Sequence, residues 1–130
     1  MTLVERIEAA SATDHPELDA IDLAIAEWCH AGGAPGLVNY DPEMWLIRND
    51  GWVRSIDAAV ALAERVLPGW WWTAGRCGLT CHASVGPDRA FISEPDLSRF
   101  DAGFHADIPN PSTPALALVA AVLRAKEVEG

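Results

Sequence analysis

Three consecutive tryptophans, Trp70 to Trp72, constrain the fold of this chain more than any other feature. Successive side chains of a β-strand point to opposite faces of the sheet, so Trp70 and Trp72 would share one face and Trp71 would take the other. Each indole carries on the order of 200 Å² of surface, and leaving that area in water costs several kcal/mol at about 25 cal/mol per Å². We therefore predict that both faces of this sheet are covered.

A rival interpretation is that one tryptophan-bearing face is a binding surface. Aromatic side chains on a sheet can stack against bases or sugars. We favour core packing, because large aromatic side chains are usually found in protein cores.

Four segments have the apolar spacing and capping residues of amphipathic helices. They are residues 2–11, capped by Thr2 with Glu5; a segment from Asp14, with Glu17 and Pro16, to Gly32 and Gly33; a segment from Ser55 to Pro68–Gly69; and a segment from Thr113–Pro114 to about Lys126. The core-facing positions are predicted to be Leu18, Ile21, Ile25 and Trp28; Ile56, Ala59, Val60, Ala63 and Val66; and Leu116, Val119, Val122 and Leu123. Glu17, Asp19 and Asp22 are predicted to lie mainly on other faces.

Strand patterns lie between the third and fourth helices. Two strands are predicted within Trp70–Gly86, joined by a tight turn inside Gly75–Leu79, and Phe104–Ile108 forms a further strand. Two weaker candidates and two loops complete the chain: Met44–Arg48 as a strand or a helical turn, Ala90–Ser93 as a strand, and loops over 32–42 and 87–103.

This order of elements predicts the fold class. Helices precede a small, mostly antiparallel sheet, and another helix follows it, so helical layers are present in the sequence for both tryptophan-bearing faces. We expect an α+β protein, a three-layer α/β/α sandwich, formed by a single domain over residues 1–130.

The charge balance bears on partners and compartment. A net charge of −10 repels phosphates and works against nucleic-acid binding, and the scattered carboxylates do not form the dense face of a DNA mimic. No apolar run is long enough for a membrane span, and charges interrupt residues 1–12 where a secretory signal would lie. With three cysteines, an odd number, we expect reduced thiols in a cytoplasm.

Several segments together carry a family resemblance. They are TLVERIEAASATDHPELDAIDLAIAEW at residues 2–28, SIDAAVALAERVLPGWWWTAG at 55–75, ASVGPDRAF at 83–91 and GFHADIPNPSTPALALVAAVLRA at 103–125. The sequence resembles the small phage proteins grouped as the phage ABA sandwich domain, over most of the chain except residues 32–51. The resemblance implies a phage or prophage origin, hence the cytoplasm of a bacterial host, and a helix–sheet–helix architecture. It supplies no catalytic residues.

Cysteine and histidine residues are the candidates for metal binding. Cys77, Cys81 and His82 are close in sequence, and Cys29–His30 offers two more ligands. Zinc needs about four such groups converging on one point, and the C-x₃-C-H run is not a known zinc spacing. No phosphate-binding loop, dinucleotide fingerprint or hydrolase motif occurs either. We therefore expect neither a metal nor a cofactor.

Catalysis is the weakest interpretation of these residues. Cys81 and His82 would point to opposite faces of a regular strand and could not form a dyad. His105 and Asp107 share a face and could act as an acid–base pair, but we favour a structural role at the end of a strand. We do not expect an enzyme.

A binding role is the function we favour. We predict a non-enzymatic accessory domain that sequesters a small molecule, such as a nucleotide, or a host protein, in the manner of a counter-defence protein. The predicted contact residues are Trp45, Trp71, His82, Arg89, Arg99 and His105, with the two arginines as candidate anion ligands. The alternatives are a structural or homodimeric interaction module and a small enzyme that uses His105 with Asp107 or a cysteine.

Overall fold

The computed structural model describes residues 2–29, 52–88 and 103–129. In these ranges the chain forms four helices and a three-stranded antiparallel sheet, which confirms the α+β class. The elements are α1 (Leu3–Ala9), α2 (His15–Trp28), α3 (Ile56–Val66), β1 (Trp70–Arg76), β2 (Thr80–Pro87), β3 (Phe104–Pro109) and α4 (Pro114–Glu129). The segments predicted at 32–42, 44–48 and 90–93 lie outside the described residues. None of the described helices is long and apolar enough to cross a membrane.

The first two helices begin at the predicted capping residues. Thr2 and Glu5 form a reciprocal capping box, in which the backbone N–H of Glu5 donates to Thr2 Oγ1 and the backbone N–H of Thr2 donates to Glu5 Oε1. Asp14 accepts a hydrogen bond from the backbone N–H of Glu17 at the start of α2. The Glu17 carboxylate pairs instead with the Arg6 guanidinium at 3.0 Å, so it links α2 to α1.

Thr113 caps α4 and also links this helix to Val53, in the segment that precedes α3. Its Oγ1 accepts from the backbone N–H of Leu116 at 3.0 Å and donates to the carbonyl oxygen of Val53 at 2.6 Å. Ser55, predicted to open α3, accepts from the backbone N–H of Ala58. Both predicted caps are therefore confirmed, because capping depends on residues within one turn of each other.

Helix α4 lies at the centre of the protein. It contacts α1, α3 and all three strands. Residues 115–123 and Ala125 are buried on every side of the helix, whereas the sequence pattern predicted one apolar stripe of four residues. A helix that is apolar all round is a core helix, and small alanine side chains at five of these positions let neighbouring elements approach closely.

Two predicted faces need correction. The sequence predicts that Asp22 lies mainly away from the core, but it is buried, and its carboxylate accepts hydrogen bonds from the backbone N–H groups of Trp52 and Val53. On α3, Leu62 is buried while Ile56, a predicted core residue, is 40% exposed. Ile56 is the first residue of its helix, so it lies at the edge of the packed surface.

The sheet has the order β1–β2–β3, and its first two strands form a hairpin with residues 77–79 in the turn, inside the predicted segment. We call the side packed against α4 the inner face. Its members follow from the strand register: Trp72, Ala74, Cys81, Ala83, Val85, Phe104, Ala106 and Ile108. Trp70 also lies on this side, where its ring stacks on Phe104 with the ring centroids 6.1 Å apart.

The opposite side of the sheet, the outer face, carries Trp71 as predicted. Among the described residues, α4 packs on the inner face, and most side chains of the outer face are exposed. The described layers thus run from sheet to α4 to the remaining helices. The α/β/α order, with both tryptophan-bearing faces covered, is not confirmed by these residues.

Candidate functional site

The strand register arranges the outer face in four rows across the sheet. They are Trp71 opposite Gly86; Thr73 opposite Ser84, which is opposite His105; Gly75 opposite His82, which is opposite Asp107; and Thr80 opposite Pro109. Directly opposed residues on one face have Cβ atoms about 5 Å apart, so each row is a set of neighbours. The face therefore combines one large aromatic ring with several hydrogen-bonding side chains.

The indole of Trp71 lies against the sheet rather than standing away from it. A Cβ placed on Gly86 would be 2.3 Å from Trp71 Cζ2, and one on Gly103 would be 3.5 Å from Trp71 Cη2. The ring thus crosses β2 from the edge strand β1 and reaches the residue that precedes β3. Residue Trp71 is 38% exposed, so its indole forms an apolar platform on the outer face.

A second ring on the outer face, the imidazole of His82, also packs over a glycine of the neighbouring strand. The imidazole of His82 lies over Gly75, where a Cβ would be 2.9 Å from His82 Cε1. Both rings occupy space above a glycine on the neighbouring strand, which is space that any other residue would fill. His82 is exposed, whereas Cys81 is buried on the inner face, which confirms that these two neighbours point to opposite faces.

Ser84 and His105 form the central row with a direct contact. Ser84 Oγ lies 2.6 Å from His105 Nδ1. The backbone oxygen of His105 accepts from Arg124, whose guanidinium also pairs with the Glu8 carboxylate and so joins β3 to α4 and α1. The backbone beneath His105 is therefore tied to two helices while its side chain faces solvent.

Asp107 brings a negative charge to this face. It lies directly opposite His82 and two residues from His105, and its side chain is exposed. The His105–Asp107 pair predicted as an acid–base unit does share the outer face. His105 Nδ1 also lies within hydrogen-bond distance of Ser84 Oγ.

The three cysteines lie in different environments, and all are free thiols. Cys77 is exposed in the hairpin turn, where hydrogen bonds from the side chain and backbone of Thr80 lower the pKa of its thiol. Cys81 is buried and donates to Asn110 Oδ1, while burial raises the pKa of Cys29 to about 11. Within the described ranges, no group of three histidine, cysteine or acidic residues could hold a metal ion.

The structure brings together three of the six predicted contact residues. Trp71, His82 and His105 all lie on the outer face, whereas Trp45, Arg89 and Arg99 are outside the described residues. Sequence reasoning missed Ser84, whose role depends on the register between β2 and β3. The alternation of His82, Ser84 and Gly86 along β2 was the available signal.

No family model matches the chain, and comparison with curated proteins and with solved structures finds no match.

Proposed function

We propose that the protein is a non-enzymatic binding domain and that the outer face of its sheet is the contact surface. The supporting observation is the Trp71 indole, which lies over Gly86 while the residue stays 38% exposed. Stacking on such a ring is worth about 1–3 kcal/mol per base-sized group. An exposed indole held against the sheet is already in place for stacking and loses little side-chain freedom on binding.

Polar side chains beside the platform give it directional contacts. The Ser84 hydroxyl, already bonded to His105 Nδ1, keeps hydrogen-bonding capacity for a ligand, and Asp107 offers acceptors alone when it is ionised. His82 completes the row next to Asp107. Recognition sites typically combine apolar area with a few fixed polar groups, and this face has both.

A catalytic role has less support from the same geometry. A Ser84 nucleophile activated by His105 would need hydrogen-bond donors for the developing oxyanion. Strand β2 is the central strand of the described sheet, so its backbone N–H groups are directed to β1 and β3. We therefore assign Ser84 and His105 to ligand contact.

The test is retention of a cellular ligand by the purified protein. Native mass spectrometry of the wild-type protein should reveal a bound species, and Trp71→Ala should lose it. Trp72→Ala is the matched control, because Trp72 is 37% exposed but belongs to the inner face. Equal loss in both variants, or retention in Trp71→Ala, would contradict the proposed surface.

One observation favours a second candidate, an interaction module that forms homodimers. In the described sheet β1 is an edge strand, and Trp71 and Trp72 on it are both partly exposed. An edge strand can pair with a second copy and bury these rings. Sedimentation at micromolar concentration tests this directly, and a purely monomeric profile would exclude it.

The α/β/α order and the membership of the phage ABA sandwich domain family remain predictions, as do phage origin and a cytoplasmic location. The first of these competes with the proposed contact surface, because a helical layer over the outer face would cover Trp71. An experimental structure decides between them: a helix packed on the Trp71 indole would support the sandwich and contradict the binding face.

A further inference from the structure

We infer that the outer face binds a neutral oligosaccharide. The inference rests on the proposed function and names the chemistry of its ligand. Nucleobases and sugar rings both have a face that stacks on an indole. Charge, hydrogen-bonding capacity and the shape of the face favour the second.

Charge disfavours nucleotides and nucleic acids. Asp107 places a carboxylate on the outer face, and the chain carries a net charge of −10. Phosphates would approach this surface against a repulsive potential that strengthens at low salt. A neutral ligand meets no such barrier, and its hydroxyl groups can donate to the Asp107 carboxylate.

The hydrogen-bonding groups of the face suit hydroxyls. A sugar hydroxyl both donates and accepts, so it can pair with the remaining hydrogen-bonding capacity of the Ser84 hydroxyl and with a ring nitrogen of His82. An ionised carboxylate accepts from two hydroxyls at once. The face therefore offers partners for several hydroxyl groups around one stacked ring.

The extent of the face favours an oligomer over a single ring. The rows that begin at Trp71 and Gly75 lie four residues apart on β1. At about 3.4 Å per residue, these rows are roughly 14 Å apart, which exceeds the length of one sugar ring or one nucleobase. A linear oligosaccharide along the strands would stack on Trp71 at one end and reach Asp107 at the other.

The experiment is titration of the wild-type protein with cellotriose, maltotriose and triacetylchitotriose, followed by NMR chemical-shift changes, with adenosine and AMP as comparison ligands. At least one trisaccharide should bind, and Trp71→Ala should weaken it about tenfold or more, which corresponds to the loss of one stacking contact. Trp72→Ala should leave it unchanged. Asp107→Asn should weaken trisaccharide binding and reduce the discrimination against AMP.

Two results would overturn the inference: no trisaccharide binding at millimolar concentration, or AMP binding as tight as that of the best trisaccharide. Either result would contradict the oligosaccharide as ligand without contradicting the outer face as the contact surface. If a nucleotide or protein is retained in a Trp71-dependent manner, the outer face remains the binding surface and only the ligand class is wrong. If Trp71→Ala changes no binding of any ligand, the proposed surface itself fails.

Discussion

The Trp71 indole occupies the space that a side chain at position 86 would need. A Cβ on Gly86 would lie 2.3 Å from Trp71 Cζ2, a separation that atoms in proteins do not adopt. The partner strand thus holds a glycine where the ring crosses it. The orientation of the Trp71 indole therefore depends on the lack of a side chain at Gly86 as much as on Trp71 itself.

Gly86→Ala should displace the indole from the sheet. We expect destabilisation by about 1–3 kcal/mol, the usual cost of overpacking, together with loss of ligand retention. Denaturant unfolding measures the first effect. Gly78→Ala is the control, since a Cβ there meets nothing within 4 Å and should change stability little. In a Trp71→Ala background Gly86→Ala should cost much less, and an equal cost with and without the indole would contradict this account.

Ala120→Leu tests the central position of α4. Ala120 is fully buried in a helix that is packed on all sides, so a larger side chain has no space to enter. We expect the free energy of unfolding to fall by about 1–3 kcal/mol or more. Ala61→Leu, at an exposed position of α3, should stay within about 0.5 kcal/mol of wild type. Similar values for both variants would mean that α4 is not the central helix.

Asp22 should be required for the connection between α2 and the segment before α3. Its Oδ1 accepts from the backbone N–H groups of Trp52 at 2.9 Å and Val53 at 3.1 Å. Asp22→Ala removes both hydrogen bonds to a charged acceptor, each worth about 1.5–3 kcal/mol. Asp22→Asn keeps an acceptor oxygen and should cost less at neutral pH. Unfolding in urea compares the two variants, and a smaller loss for alanine than for asparagine would contradict the assigned role.

The Asp22 carboxylate should also make the free energy of unfolding depend on pH. Burial raises the pKa of Asp22 above its ordinary value of 3.8, outweighing the opposing hydrogen bonds from Trp52 and Val53 and the charge of Arg54. A raised pKa in the folded state contributes stability below the ordinary pKa, and that contribution is lost as pH rises through the folded value. The stability of wild type relative to Asp22→Asn should therefore fall as pH rises from 3.8. A relative stability that rises over this range would contradict the raised pKa.

The buried thiol of Cys29 should make the free energy of unfolding depend on pH in the alkaline range as well. Burial raises the pKa of its thiol from 9.0 to about 11, so the unfolded chain ionises first as pH rises. Stability should decline between these two values, and Cys29→Ala should decline less steeply than wild type. Cys77→Ala is the control, because Cys77 is exposed in the hairpin turn and should leave the Cys29-dependent decline in place. Identical slopes for wild type and Cys29→Ala would show that the thiol does not titrate differently in the folded state.

Local features were predictable because their causes lie within a few residues. The capping residues of all four described helices, the hairpin between β1 and β2, and the placement of Trp71 opposite Trp70 and Trp72 all follow from short-range geometry. Strand alternation also sets the side of His82 and His105, two more predicted contact residues. Both share the outer face with Trp71.

Long-range features were missed where a distant partner decides them. The burial of Asp22 depends on backbone groups 30 and 31 residues away, and periodicity on α2 contains no information about them. The Ser84–His105 contact depends on the register between β2 and β3, which are separated by a long segment. The expectation that helices cover both tryptophan-bearing faces stays a prediction: within the described residues α4 packs on the inner face, and Gly86 leaves room for the Trp71 ring against the outer face.

The amino-acid order alone determined where helices and strands begin and which side of a strand each residue takes, because backbone sterics, capping and pleating act over a few residues. Only the tertiary structure decided that α4 is surrounded on all sides, that Asp22 is internal, and that Trp71, Ser84, His105 and Asp107 share one face of the described sheet. Those outcomes depend on which elements pack together, and packing depends on contacts between residues far apart in the chain.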